Sequence, residues 1–218
     1  MTQPPMDWDE VYQRDGAPPW SIGRPQPELA ALIADGKVRS AVLDAGCGHA
    51  ELALALAAQG YTVVGLDISA TAVAAARATA AERGLGSATF AQTDITDFGG
   101  YDGQFSTIMD SGLFHALPVE KRASYLSCIA QAATADAALY ILSFAAPEAG
   151  ATQGPGPRGV TEEEFRQAVS AYWVVDEIRT AYLYGIAAAA GGTPNLDRVV
   201  DGDAMKTRGF LLSAHKAG

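Results

Sequence analysis

"VLDAGCGHAELALALAAQGYTVVGLD", residues 42–67, changes its hydrophobic period twice within one short stretch. The run "SAVLDAG" (40–46) is short, apolar and closed by small residues, as a strand buried on both faces is. "HAELALALAAQ" (49–59) has helical spacing and stops at Gly60, a natural helix terminator. "YTVVGLD" (61–67) returns to β-branched apolar residues. Strand, helix and strand so closely joined read as a βαβ unit with a right-handed crossover. Gly46 and Gly48 bracket Cys47 at the first connection, with His49 next. The turn has three readings: a nucleotide-binding turn, a thiol or metal site on Cys47 and His49, or a plain tight connection.

The alternation continues outward. "ATFAQTD" (88–94), "FSTIMDSG" (105–112) and "ALYILSFA" (138–145) read as further buried strands. Residues 70–83 read as a helix capped by Ser69 and followed by Gly84, and residues 118–134 as one opened by Pro118. Repeated units of this kind imply a doubly wound, mostly parallel α/β sheet. At the N-terminus, 7–14 reads as a short helix, 15–27 as a Pro/Gly-rich loop, and a second helix runs to about Asp35. At the other end, 145–159 reads as a long loop, and Thr161 and Glu164 have capping-box spacing. Residues 172–185 and 210–216 read as a late hairpin whose intervening insert is too long for a tight turn. No repeat or second domain is evident. The chain divides into an N-terminal cap (1–35), a core (36–145) and late loops and strands (146–218).

Bulk properties exclude several functions. The chain has 218 residues, 49% of them hydrophobic and 18% charged, which suits one soluble globular domain. A formal charge of −10 with no basic run argues against a nucleic-acid partner. No apolar stretch has membrane-spanning length and the start does not resemble a signal peptide, so the expectation is a cytoplasmic protein, monomer or homodimer, acting on a small molecule. Two cysteines far apart, without a CxxC pattern, argue against a disulfide scaffold or a zinc cage, and no metal is expected.

Glycines between a strand and a helix let a ligand approach the backbone at a helix N-terminus. Asp67 closes the next strand nineteen residues after Gly48, where a carboxylate can accept both hydroxyls of a ribose. A dinucleotide turn needs a third glycine at position 51, which here is Glu51. A glutamate beside a pyrophosphate is repulsive, whereas a sulfonium with an ammonium group tolerates carboxylates. An NAD-type oxidoreductase and a non-catalytic cofactor-binding protein remain the alternatives.

"VLDAGCGHA" resembles the first motif of the class I S-adenosylmethionine-dependent methyltransferases, with Ala50 where that family commonly has a third glycine. "VVGLDIS", "AQTDIT" and "FSTIMDSGLFHAL" resemble its next three segments in order and spacing. The resemblance implies a Rossmann-like seven-stranded sheet with an antiparallel last strand, S-adenosyl-L-methionine as methyl donor and S-adenosyl-L-homocysteine as product. It implies Asp44, Gly46 and Gly48 at the cofactor turn, Asp67 on the ribose and Ile68 against the adenine. It also implies Asp94 on the exocyclic amine, the Ile95 backbone on a ring nitrogen, and Asp110 facing the methionine portion. "WDEVYQRDGAPPWSIGRPQPEL" is similar to the N-terminal segment of the thiopurine and tellurite-resistance type, which folds over the cofactor. That implies a cover in which Trp8 and Tyr12 match by position, Trp20 and Gly23 line the methionine end, and Arg24 pairs with the cofactor carboxylate. The flanking motifs look like those of bacterial enzymes that methylate and detoxify heterocycles such as quinolones.

Methyl transfer from a sulfonium needs alignment and exclusion of water, and a base only where the acceptor must lose a proton. His115, a few residues past the fourth strand, is the candidate to orient the acceptor or take its proton; Asp110 is the other candidate catalytic residue. Trp20, Ser111 and Phe114 are candidate acceptor contacts, and Tyr172, Trp173, Tyr182 and Tyr184 a candidate aromatic wall. Cys47, Cys128, His49 and His215 read as structural or incidental to the chemistry.

Overall fold

The computed structural model describes residues 6–147, 158–186, 198–201 and 204–217. Five parallel strands form the cofactor half: β1 (Val42–Ala45), β2 (Val63–Asp67), β3 (Ala88–Gln92), β4 (Phe105–Ser111) and β5 (Ala133–Phe144). They are followed by β6 (Val174–Ile186), the short β7 (Arg198–Asp201) and β8 (Ala204–His215). Across the sheet the order is β3-β2-β1-β4-β5-β8-β6, with β8 antiparallel to both neighbours and β7 paired to β8 beyond the end of β5. This is the expected Rossmann-like seven-strand path, with one short strand added.

Helices cover both faces, so strand residues are buried on both. Val42 belongs to the layer under α2 (Pro27–Ala34), α3 (Glu51–Ala58) and α4 (Ala70–Glu82). Its neighbour Leu43 belongs to the layer under α5 (Val119–Ala132) and α6 (Glu162–Ser170). That two-sided burial is why the strands read as continuous apolar runs. Thr161 and Glu164 form the expected capping box of α6.

Two boundaries differ from the sequence reading. β5 starts at Ala133, directly after α5, because Ala133 pairs with Phe105 across a register shift. The alanine-rich segment has little strand propensity of its own, and the neighbouring strand decides. β8 starts at Ala204 rather than at 210, since residues 204–209, Lys206 and Arg208 among them, pair with residues 181–186 of β6. Much of the two late loops (148–157, 187–197 and 202–203) lies outside the described residues.

The outer edge of β6 is covered by the N-terminal segment. The Gln26 side chain accepts from Tyr184 N–H and donates to Tyr184 C=O, both at 2.8–2.9 Å. Glu28 accepts from Tyr182 N–H and pairs with Arg179 at 2.8 Å, while Ile186 N–H donates to Pro19 C=O. The carboxyl-terminal half of that edge is thereby covered. The same contacts hold the loop carrying Trp20 against the carboxyl end of the sheet.

Candidate active site

The carboxyl ends of β1, β2 and β4 meet at the glycine turn. Gly46, Gly48 and Ala50 all have left-handed backbone, φ 67°, 53° and 62°. Gly46 and Cys47 donate their N–H groups to Leu66 C=O, which folds the turn back onto β2. A Cβ built on Gly48 would lie 2.4 Å from the Tyr12 hydroxyl, so glycine is required there for space as well as conformation. Ala50 carries the left-handed conformation at about 1–2 kcal/mol, largely offset by roughly 0.8 kcal/mol for a buried methyl and by lower chain entropy than glycine. The near-cancellation explains an alanine where glycine is the easier residue.

Ala50 is the N-cap of α3 and has no side chain to cap with. Asp44, at the end of β1, supplies the missing acceptor: its Oδ2 takes the Ala53 N–H at 3.1 Å. An acidic group at a helix N-terminus is also favoured by the helix dipole. Asp44 is therefore enclosed beneath the turn, almost without exposure.

Asp67 is a junction. Its Oδ2 accepts from Gly48 N–H at 2.8 Å and its Oδ1 from Ser69 N–H at 2.9 Å. Ser69 caps α4 by accepting from Ala72 N–H, and donates its hydroxyl to Asp9 Oδ1 at 2.6 Å. Asp9 also accepts from Thr71 N–H at 2.9 Å. One chain of hydrogen bonds thus runs from α1 (Trp8–Gln13) to the glycine turn. Over the turn, the Tyr12 ring meets His49 edge-on at 5.0 Å and Trp20 at 6.3 Å, and Trp20 meets Trp8 at 5.9 Å.

No local feature of the chain marks the Asp9–Ser69 tie, which spans sixty residues. The Ser69 and Thr71 bonds hold the Asp9 carboxyl at about 2. The contribution of Asp9 to the docking of α1 is accordingly present in full above the unfolded value of 3.8 and is lost as pH falls toward 2. Asp9→Ala is expected to release α1, seen as faster limited proteolysis within residues 8–13 and a severalfold loss of cofactor affinity. Unchanged cleavage at neutral pH would exclude the tie.

Beside Asp67, the Ile68 side chain is about half exposed at 51%, an apolar surface open to a flat ligand. Asp94 is exposed and accepts from the Thr96 N–H and hydroxyl through Oδ1, with its other oxygen unused among the described residues. The Ile95 side chain is buried, and among the described residues its N–H has no acceptor. Gly23 stands in the loop before α2 with φ 73° and open space around it.

No Lys or Arg forms an ion pair with the buried carboxylates of this site among the described residues. Burial pushes Asp44 up to about 8 and Asp110 up to about 7, and raises Asp67 as well. Glu51 and the other carboxylates add to the Asp44 shift. Of the three, Asp67 keeps some exposure, has no Lys or Arg partner among the described residues and lies beside the Tyr12 ring, a setting that suits a ligand bringing its own positive charge. A sulfonium with an ammonium group has that character; a pyrophosphate has the opposite one. The residues present therefore fit S-adenosylmethionine.

At the acceptor end the structure corrects two expectations. Asp110 is wholly buried: Oδ1 accepts from Leu113 N–H at 2.7 Å and from Phe114 N–H, and Oδ2 accepts the Tyr125 hydroxyl at 2.9 Å. So enclosed, it brackets the turn after β4 and presents no oxygen to cofactor or acceptor. Phe114 is turned into the core against Phe165 at 5.1 Å, with the Arg122 guanidinium 4.9 Å from its ring centre. It offers an acceptor no surface. Ser111 ends β4, half-buried.

His115 is brought to the carboxyl edge, its ring 4.3 Å from that of Phe144. Trp173 is buried in the core, Tyr172 is exposed, and Tyr182 and Tyr184 share one face of β6 with the Lys206 amine 3.8 Å from the Tyr182 ring centre. Leu183 lies on the opposite face and reaches the space over Gly112 beside His115. Phe144 and Leu183 were not singled out in the sequence, because strand alternation hides which residues lie at a strand's end.

The comparisons agree with this geometry. Residues 42–136 match the family described as a methyltransferase domain. The chain is 48% identical over 203 residues to the 2-heptyl-1-hydroxyquinolin-4(1H)-one methyltransferase of Mycobacteroides abscessus, covering 91% of this chain and 89% of that one. A solved structure concerning conversion of a disulfide bond into a thioacetal group during echinomycin biosynthesis superposes with a TM-score of 0.81 at 30% identity, covering 96% of this chain and 91% of that one. The magnesium protoporphyrin IX methyltransferase of Synechocystis PCC 6803 with bound S-adenosylhomocysteine superposes at 0.60 and 25% identity, covering 87% and 80%. With the acid, the glycine turn and Asp67 in place, the chain belongs to the S-adenosylmethionine-dependent methyltransferases.

Proposed function

We propose that the enzyme methylates a small aromatic heterocycle of the quinolone kind. The observation that carries this reading is the 48% identity, over nearly the full length of both chains, to a hydroxyquinolone methyltransferase. Phe144 and Leu183, the apolar side chains beside His115, suit a flat acceptor.

In this reading Asp67 holds the ribose, Ile68 lies on the adenine, and Asp94 and the Ile95 N–H read its edge. Gly46 and Gly48 let the methionine portion approach the backbone, and Asp44 fixes the helix terminus beneath it. Tyr12, Trp20 and Gly23, in the cap of residues 1–35, cover the donor against water. S-adenosylmethionine, when bound, supplies an electrophilic methyl carbon. The 36–145 core holds the donor, residues 146–218 complete the acceptor side, and the chain works in the cytoplasm as a monomer or homodimer without nucleic acid.

The test is incubation of the purified protein with the donor and a panel of 4-quinolones, looking by mass spectrometry for gain of one methyl. Absence of product across the panel would reject the substrate class. S-adenosylhomocysteine at a hundredfold its Kd is expected to stabilise by about 2.7 kcal/mol and raise Tm by roughly 5–10 °C. NAD is expected to leave Tm unchanged, and the opposite pattern would reject the donor assignment.

A further inference from the structure

We infer that His115 donates a hydrogen bond to the acceptor through Nε2 and takes no proton from it, so that the acceptor enters already ionised, as an acidic hydroxyl that has lost its proton to solvent. The inference rests on the heterocycle reading and narrows it to O-methylation of an acidic oxygen.

Phe144 lies beyond the last residue of β4, Ser111, which pairs with Leu142, so the Phe144 N–H has no strand partner on that side. The His115 ring fills the gap: Phe144 N–H donates to His115 Nδ1 at 3.2 Å. A backbone N–H is only ever a donor, so Nδ1 must present its lone pair and the ring hydrogen must be on Nε2. A neutral imidazole has one free lone pair, and here it is spent on the backbone. Accepting a proton at Nδ1 would set two N–H groups against each other. His115 therefore has no site for the proton of an acceptor.

The surroundings agree. His115 is buried, and burial together with the Arg122 guanidinium lowers its pKa to about 3. The charged group bearing on it is Arg122, from α5; Asp110, from β4, is held to Tyr125, and Phe144 and Leu183, from β5 and β6, do not titrate. Among the described residues no acceptor takes the Nε2 hydrogen, which is left for a ligand. Asp110 cannot serve as the base in its place, since its carboxyl is shared among Leu113, Phe114 and Tyr125.

An ionised acceptor needs no base. A lone pair of the oxyanion forms the O–C bond while the C–S pair returns to sulfur, giving a neutral ether and a neutral thioether. Anion and sulfonium cancel, and no proton moves within the site. An N–H donor supports a negative oxygen, whereas it would engage the lone pair of a neutral ring nitrogen and weaken it as a nucleophile.

Two measurements test this. In histidine-¹⁵N-labelled protein, with His115 assigned by loss of its signals in His115→Gln, the ring is expected to show the Nε2–H tautomer without titrating between about pH 5 and 8. Titration in that range, or an Nδ1–H tautomer, overturns the proposal without touching the substrate class. The second is the pH profile of kcat/KM for hydroxylated heterocycles of graded acidity. The inflection is expected to follow each acceptor's own pKa, with about a 100-fold loss two units below it. An inflection at one pH for all acceptors, or pH-independent methylation of a ring nitrogen, overturns the proposal. No turnover of any member would reject the heterocycle reading and the proposal together.

Discussion

Asp110→Ala is expected to lower the unfolding free energy by about 2–4 kcal/mol, a fall in Tm of roughly 5–15 °C. The substitution strands two backbone N–H groups and the Tyr125 hydroxyl inside the protein. Each stranded donor costs about 1–3 kcal/mol, and relief of the carboxylate's own burial offsets part of the sum. Asp110→Asn retains an oxygen for the two N–H groups, and the Tyr125 hydroxyl can rotate to accept from the amide, so its cost is expected below about 1.5 kcal/mol.

The pH dependence carries a sign. Burial raises Asp110 from 3.8 to about 7 in the folded protein. The native state then binds more protons than the unfolded one across that window, and stability falls as pH rises through it. Asp44, raised to about 8, acts in the same direction. The Asp110→Ala penalty is therefore expected to be larger near pH 5 than near pH 8, measured by denaturant unfolding at both. A penalty growing with pH would mean an ionised carboxylate working against a cation, and would remove the bracket role argued for Asp110.

Asp67→Ala is expected to weaken S-adenosylhomocysteine binding by about 1.5–3 kcal/mol, roughly 10- to 150-fold in Kd by calorimetry. Both carboxylate oxygens already accept one backbone N–H each, and each keeps a further lone pair for a ribose hydroxyl. Asp67→Asn, with one accepting oxygen, is expected to fall between. Because the turn also loses its Gly48 bond, Tm is measured alongside. Unchanged affinity with lowered Tm would make Asp67 a support of the turn and nothing more.

The cofactor half was the legible part. Short two-sided strands, Ser69 before α4 and the glycine turn are local signals, and the elements stand within a few residues of where pattern places them. Pattern did less well after residue 132. There alanines without strand propensity become β5, and charged residues become part of β8, because a neighbouring strand supplies the pairing. The acceptor end was read as a set of residue types near a strand exit, without knowledge of which way each side chain turns. Phe114 turned into the core, Asp110 was consumed by its own turn, and His115 came to the edge.

What the sequence by itself determined is the βαβ order, the turn that only small residues can make, and the acid that closes β2. Periodicity, steric limits on φ and strand-end position all act within a few residues of chain. What only the tertiary structure decided is which lone pairs and hydrogens are still free. Asp9 reaches Ser69, Gln26 reaches Tyr184 and Phe144 reaches His115 across 29 to 158 residues. A hydrogen bond between distant segments is set by how strands and loops come together, and that approach decides whether a histidine has a lone pair left to act as a base.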